Sequence, residues 1–488
     1  MTLDPTMNSL ANFFCSIGAR AAVREAAPTH IPSSQTDQKD EIDATVKSVS
    51  INAAKARRLD RWLDKVVAIS GSNTVLFFTV AALVAWVLAG IKLSKNTGWQ
   101  VGISDAQAII NMVFDAFLVR QQLNAHEQGL VVACHLQSRT LTHKRMLCTL
   151  SRMEKPQQAN SLQRNTLEAR ADLPTEDMIG RFCNAVSAFM GHVATVTAYV
   201  VCIIIWLAFG HYRHWSDVWF FYINTSTSAL MVFMLALLAN DRERHEKFLN
   251  QCATRLMTVD ANLEILLRDM TKDSIENEAV IIEASAVSKL QRAINFYADL
   301  VGTLLGIALL TLILVVWIVL GPVMKFDANW WLLIGTYAGL IGMNDGFVLK
   351  NLSNVCARYE DKHYEQQILD DADLVAIIGA PSSQASESQA VTQADVRFSI
   401  AMGNFCSHEY TVAVGLVSIL GLLLVASLMR WNELGQIICN VPPSIIESFF
   451  TLILITGHNI VDKQRRANLQ SIYQNRLDLI SHIRQWQA

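Results

Sequence analysis

The sequence predicts an all-α polytopic membrane protein: about eight transmembrane helices in four two-helix repeats, with long amphipathic cytosolic helices connecting them. Three observations lead there. Of 488 residues, 52% are hydrophobic and 17% charged, where soluble domains carry about 25% charge. Eight apolar runs approach the ~20 residues that a bilayer core requires. The runs also come in pairs, and the pairs align with one another.

That alignment needs no gaps over each first helix. The copies start at Arg61, Arg181, Arg292 and Arg397; ten residues later stand Gly71, Gly191, Gly302 and Ser407. At twenty-five stand Trp86, Trp206, Trp317 and Leu422, and at twenty-nine Gly90, Gly210, Gly321 and Ala426. Agreement at a fixed register in three copies marks an internal repeat, with the fourth diverged.

Along the chain, residues 1–50 are rich in Ser, Thr, Pro and Gln and read as a disordered cytosolic tail without a signal-peptide core. Repeat 1 spans 55–150, repeat 2 175–285, repeat 3 286–372, and repeat 4 with a cytosolic C-terminal helix 396–488, after a flexible linker at 373–395. Within them the spans are Asn73–Leu93 with Trp99–Glu127, Thr195–Phe209 with Trp219–Leu238, Leu304–Leu320 with Trp330–Lys350, and Tyr410–Leu428 with Ile437–His458. The connector from Leu263 to Leu300 has helical periodicity and few breakers, so it reads as helix running out of the membrane and back. Glu154–Pro174 reads as a looser excursion. Lysine and arginine crowd the segments between pairs and are sparse in the turns inside them, which places both termini in the cytosol. The triplets at Asn224 and Asn351 fall inside or at the cytosolic end of spans and are read as unglycosylated.

The second helices carry the polar groups. At 100° per residue Gln107, Asn111 and Gln122 fall within about 80° of Asp115 on one helix, opposite an apolar face. Copy three adds Asn344 and Asp345, and copy four adds Glu447 and His458. A carboxylate at membrane depth costs roughly 2.5–3.5 kcal/mol, so it faces other helices or water. One buried interhelical hydrogen bond would satisfy Asp115, but a stripe of four polar side chains fits the wall of a hydrophilic pathway better. The second helices are therefore expected to form an inner ring. Asp105 either gathers cations at the outer mouth or caps its helix. Arg120 and Lys350, at inner ends of spans, are expected to snorkel to lipid phosphates or to form a gating ion pair. Trp86, Trp206 and Trp317 fit an aromatic belt.

Much chemistry is excluded. A net charge of −3 offers no basic face for nucleic acid, and no Walker loop, Rossmann fingerprint, GxSxG or HExxH occurs. Nine cysteines lie scattered without CxxC spacing. What remains is a set of carboxylate, amide and imidazole groups that suits hard or borderline divalent cations.

The stretch WQVGISDAQAIINMVFDAFLVRQQLNAHE resembles the low-affinity iron permease family, through Trp99, Gln100, Ser104, Asp105, Gln107, Ala108, Ile109, Phe114, Asp115, Arg120, Gln121, Gln122, Leu123 and Asn124. The likeness continues in YINTSTSALMVF near Asn224 and GTYAGLIGMNDGFVLKN near Asp345. The resemblance implies facilitated entry of ferrous iron as transported substrate, with tolerance for Cu, Zn, Co or Mn, across the plasma membrane, with no permanently bound cofactor and no enzyme activity. Two alternatives stay open: a proton-coupled metal symporter, and a non-transporting membrane scaffold or sensor. Whether the axis lies within one chain or between chains of a homo-oligomer is also open.

Overall fold

The computed structural model describes residues 20–30, 58–93, 97–152, 174, 176–326, 328–378 and 394–487. The 373–395 linker falls mostly outside them, as do 153–173. The helices are α1 (Arg58–Ser70), α2 (Asn73–Leu93), α3 (Thr97–Arg152), α4 (Met178–Met190), α5 (Val193–Gly210), α6 (Asp217–Thr271), α7 (Lys289–Gly302), α8 (Leu304–Leu320), α9 (Ala328–Ile377), α10 (Ala394–Cys406), α11 (Glu409–Leu428) and α12 (Glu433–Gln487). Short, apolar and long helices thus alternate. Among the described residues six helices are long and apolar enough to cross a bilayer, and a seventh counts if α7 and α8, bent by 65°, form one span. α9, which carries Asn344 and Asp345, is not among them.

The long helices α3, α6, α12 and α9 pack in that order into a closed ring, within one chain. At ~1.5 Å per residue each runs about 75 Å or more, over twice the ~30 Å hydrocarbon core. More than half of the length of the ring therefore lies beyond a single hydrocarbon core. Outside it stand α2, α5, α8 and α11, which bury few of their residues; Gly90 and Trp317 are the buried ones on α2 and α8. An apolar surface such as Phe77, Ile91, Val319 and Leu428 presents is what acyl chains cover.

Three of the four apolar helices are stapled by tryptophans to the long helix that follows. Trp86 stacks on Trp99 with ring centroids 4.3 Å apart, and each indole N–H donates to the other's carbonyl, at 3.4 and 3.1 Å. Trp317 and Trp330 repeat this at 4.1 Å, with bonds of 3.0 and 2.8 Å, and Trp206 stacks on Trp219 at 5.9 Å. The glycines at the ends of these helices explain themselves. A Cβ on Gly90 would sit 2.3 Å from the Trp99 ring, on Gly210 2.5 Å from Trp215, and on Gly321 2.3 Å from Phe326. In the fourth copy the bulk changes sides: Ala426 is fully buried, and the position corresponding to Trp99 is Gly435, whose Cβ would lie 3.4 Å from Ala426 Cα.

A second recurrent device holds the ring together. Between each short helix and its apolar helix the chain bends, leaving a carbonyl without an intrahelical donor. Asn240 Nδ2 donates to Gly71 O at 3.0 Å, Thr456 Oγ1 to Gly191 O at 2.8 Å, Arg120 Nη1 to Gly302 O at 3.1 Å, and Asn351 Nδ2 to Ser407 O at 2.7 Å. All four donors stand fifty-nine residues after their repeat starts. Arg120 and Lys350 are therefore not snorkelling. Arg120 Nε also meets Asp64 Oδ1 of α1 at 2.6 Å, so partners within the bundle, not phosphates, receive it; Lys350 is likewise nearly buried, its Nζ beside Gly403 and Gly457.

Beyond the bends the ring closes on a buried ionic layer. Arg476, at 0% exposure, places Nη2 2.6 Å from Thr140 Oγ1 and 2.9 Å from Asp371 Oδ1, with Nε 3.0 Å from Asp260 Oδ1. These four residues also share one register, seventy-nine after each start.

Two readings of the connecting segments change. α6 ends at Thr271 because Lys272 takes a left-handed conformation (φ 56°) and donates to Arg268 O, while Asp273 accepts the Ile275 N–H. The expected helical connector is thus extended from there to Ser288, including strand β2 (Val280–Ile282), which pairs antiparallel with strand β1 (Val23–Glu25). Part of the tail expected to be disordered is accordingly docked: Ala27 N–H donates to Ser138 Oγ and His30 N–H to Glu264 Oε1. Burial, with Arg139 and Arg268 nearby, lowers the His30 imidazole to about 4 from its ordinary 6.5. Docking then favours neutral His30: its contribution is complete above pH 6.5 and is lost as pH falls toward 4. Amide protection in Val23–Glu25 and Val280–Ile282, measured against the intrinsic exchange rate at each pH, is expected to fall over that window, and a His30→Phe variant to show no such fall.

Candidate functional site

The stripe on α3 faces the ring interior, and at membrane depth the ring's polar groups meet there. Asn111 Nδ2 donates to Glu447 Oε1 at 2.8 Å, from α3 to α12, which are opposite members of the ring. The bond therefore crosses the axis. Gly342 of α9 makes room for it: a Cβ there would lie 2.6–2.8 Å from the Glu447 carboxylate. One turn further along α3, Asp115 is 3% exposed and interacts electrostatically with Glu447 and Asp345. Asp345 Oδ1 accepts from Tyr297 OH at 2.6 Å, and Asn344 adjoins the same pair.

Three acceptors at this level, Asn111 Oδ1, Asp115 Oδ2 and Glu447 Oε2, have no hydrogen-bond donor. No arginine, lysine or histidine forms a salt bridge to Asp115, Asp345 or Glu447 among the described residues. Leaving one buried polar atom unsatisfied costs about 1–3 kcal/mol, more when charged. Such a group of acceptors can receive a cation.

The other expected site residues lie above or below. Gln107 Oε1 accepts from Ser228 Oγ at 3.0 Å; Ser104 and Asn224, 2.8 Å apart, continue this polar seam between α3 and α6. Asp105 stands on α3, its side chain outside the described residues. Gln122 and His458 line an open cleft beyond the bends together with Arg242, His245 and Asp462. There His458 Nε2 lies 3.0 Å from His245 Nδ1, and that atom is 3.5 Å from Asp462 Oδ2. Thus Glu447 and His458 share a helix face but not a site: eleven residues of helix hold them about 16 Å apart.

Sequence reasoning passed over Pro442 and Pro443, just before Glu447 on α12. Proline has no N–H, so the Ile438 and Cys439 carbonyls lose their intrahelical donors. The Cys439 and Asn440 carbonyls face Gly339, each 3.4 Å from where its Cβ would be. The prolines thus free backbone carbonyls more than two turns of helix before Glu447, and the Pro-Pro pair was their signal in the sequence.

Comparison with known proteins gives a consistent result. A low affinity iron permease profile matches residues 179–300 and 396–480. The low-affinity iron/zinc ion transport protein of Schizosaccharomyces pombe is 31% identical over 495 residues, covering 97% of this chain and 85% of that protein. The chain belongs to the low-affinity iron permease family. The low-affinity Fe(2+) transport protein of Saccharomyces cerevisiae is 30% identical over 459 residues, covering 87% of this chain and 83% of its own. These permeases are transporters, not enzymes. No solved structure matches the chain.

Along α3 of this permease Gln107, Asn111 and Asp115 follow one another at single-turn spacing. Among the described residues no three His, Cys, Asp or Glu side chains stand close enough to form a ready-made chelate. Carboxylates separated by amide and hydroxyl groups leave part of an ion's coordination to water.

Proposed function

We propose that this permease carries ferrous iron, and other divalent transition metals such as zinc, into the cell across the plasma membrane at low affinity. Asn111, Asp115, Asp345 and Glu447 form the mid-membrane binding level, with Gln107 and Asn344 beside it. One observation carries this reading: buried carboxylates converge from α3, α9 and α12, those of Asp115 and Glu447 with an acceptor unsatisfied, and among the described residues no basic side chain forms a salt bridge to them. A divalent cation supplies the missing charge. Weak, water-sharing ligation supports low affinity and a loose choice of metal.

The proposed topology has eight spans in four repeats, with both termini and the far half of the ring in the cytosol. The carbonyl caps and tryptophan staples that recur at one register support it. A membrane potential drives a divalent cation inward by about 4.6 kcal/mol per 100 mV, twice the single-charge value, so uptake needs no ATP. Asp105 remains the candidate for the outer mouth, and Gln122 and His458 for the exit cleft. Arg120 and Lys350 act as inner anchors.

The test is ferrous iron uptake into cells lacking other iron importers, comparing the intact chain with Asp115→Asn at matched surface expression. Uptake that falls by an order of magnitude or more places Asp115 on the pathway. Unchanged uptake assigns it to packing. An intact chain that moves no metal removes the transport reading.

A further inference from the structure

Fifty-seven residues after each repeat start the chain has leucine four times: Leu118, Leu238, Leu349 and Leu454. Their exposures are 0, 0, 1 and 3%, and all four belong to the core where the long helices meet. Two layers fix how that register lies in the ring. Fifty residues after the starts, Asn111 and Glu447 bond across the axis; at seventy-nine, Arg476 reaches Thr140, Asp260 and Asp371. At 100° per residue, position fifty-seven falls within about 40° of both, so it also faces the axis.

The layers on either side of the leucines carry polar groups. Fifty-four residues after the starts stand Asp115, Leu235, Gly346 and Thr451; at sixty-one stand Gln122, Arg242, Ser353 and His458. Gln122, Arg242 and His458 already line the open cleft, and Arg242 Nη1 donates to Leu118 O at 3.0 Å. Carboxylates thus lie one turn to one side of the leucines, and the cleft one turn to the other. Other axial layers mix residue types from copy to copy, while this one repeats a single apolar residue.

We infer that Leu118, Leu238, Leu349 and Leu454 form a hydrophobic gate between the metal-binding level and the cytosolic cleft. This rests on the conduction reading above. A close-packed leucine layer offers no oxygen to replace a cation's water shell and no room for the shell itself, so it blocks by dewetting. Metal crosses when the four long helices separate enough to let water in. The binding level can then hold an ion without an open path to the cytosol.

The experiment is influx of ferrous iron or cobalt into liposomes holding the full-length protein, read by quenching of entrapped calcein. Leucine is replaced by threonine at each of the four positions in turn, with Leu→Met at the same positions as controls. Threonine is shorter and its hydroxyl holds water, so influx is expected to rise several-fold per folded molecule, with methionine variants near the unsubstituted rate. Leu→Ala variants widen the layer without adding a polar atom and are also expected to run faster, which covers a position where threonine prevents folding. Folded threonine and alanine variants that run at or below the unsubstituted rate overturn the gate and leave the leucines as core. If the unsubstituted protein itself moves no metal, conduction falls and the gate with it.

Discussion

Arg476→Met is expected to destabilise the protein more than any other single substitution in the ring. The guanidinium is fully buried between Asp260 and Asp371, themselves at 0% exposure, and takes a contact from Thr140 as well. Removing it leaves two carboxylates in a dry layer with their principal cation gone. Breaking a buried pair costs about 3–5 kcal/mol, and here both partners are stranded. Thermal unfolding of detergent-solubilised protein should show a large fall in midpoint. Adding Asp260→Asn and Asp371→Asn to Arg476→Met is expected to recover much of it, since a buried ionic cluster can be replaced by neutral groups at little cost. A single Met variant that unfolds with the unsubstituted protein would contradict this account of the layer.

The second large effect falls on transport and leaves the fold in place. In Gly342→Ala the new Cβ would lie 2.6 Å from Glu447 Oε1 and 2.7 Å from its Cδ. No carboxylate tolerates that approach, so Glu447 must swing away and its bond to Asn111 breaks. The obstruction is the end of a flexible side chain and not backbone, so the helices need not move. Uptake of ferrous iron is expected to fall by about tenfold or more, equivalent to about 1.4 kcal/mol of lost binding, at unchanged surface abundance. Gly102→Ala is the control, since a Cβ there meets nothing within 4 Å. Equal uptake by the two variants would remove Glu447 from the binding level.

The ring and its polar lining were legible because lipid penalises carboxylates. Asp115, Asp345 and Glu447 had to turn inward, and one helical stripe showed which way. The anchoring of Arg120 was not legible, because Asp64 and Gly302 lie 56 and 182 residues away along the chain. Without partners in view, a cation at the end of a span looks like one that snorkels. The four carbonyl donors escaped notice for another reason: Arg, Asn, Asn and Thr share a task and a register but no residue type. The ionic layer of Thr140, Asp260, Asp371 and Arg476 was hidden in the same way. Copy four broke the tryptophan pattern because its bulk moved from the long helix to Ala426. The tail's polar composition concealed Val23–Glu25, whose strand partner lies more than 250 residues away.

The caps also bear on how the chain is made. Gly71 is capped from α6 and Gly302 from α3, so these contacts form early during synthesis. Gly191, in the second copy, waits for Thr456, near the end of the chain. The helix that brings Thr456 also brings Glu447, and it is the last side of the ring to arrive. A nascent chain halted before α12 therefore has an open ring and an incomplete set of carboxylates together. On the proposed function, the final helix supplies the closure of the ring and its last carboxylate in one step, so no molecule acquires one without the other.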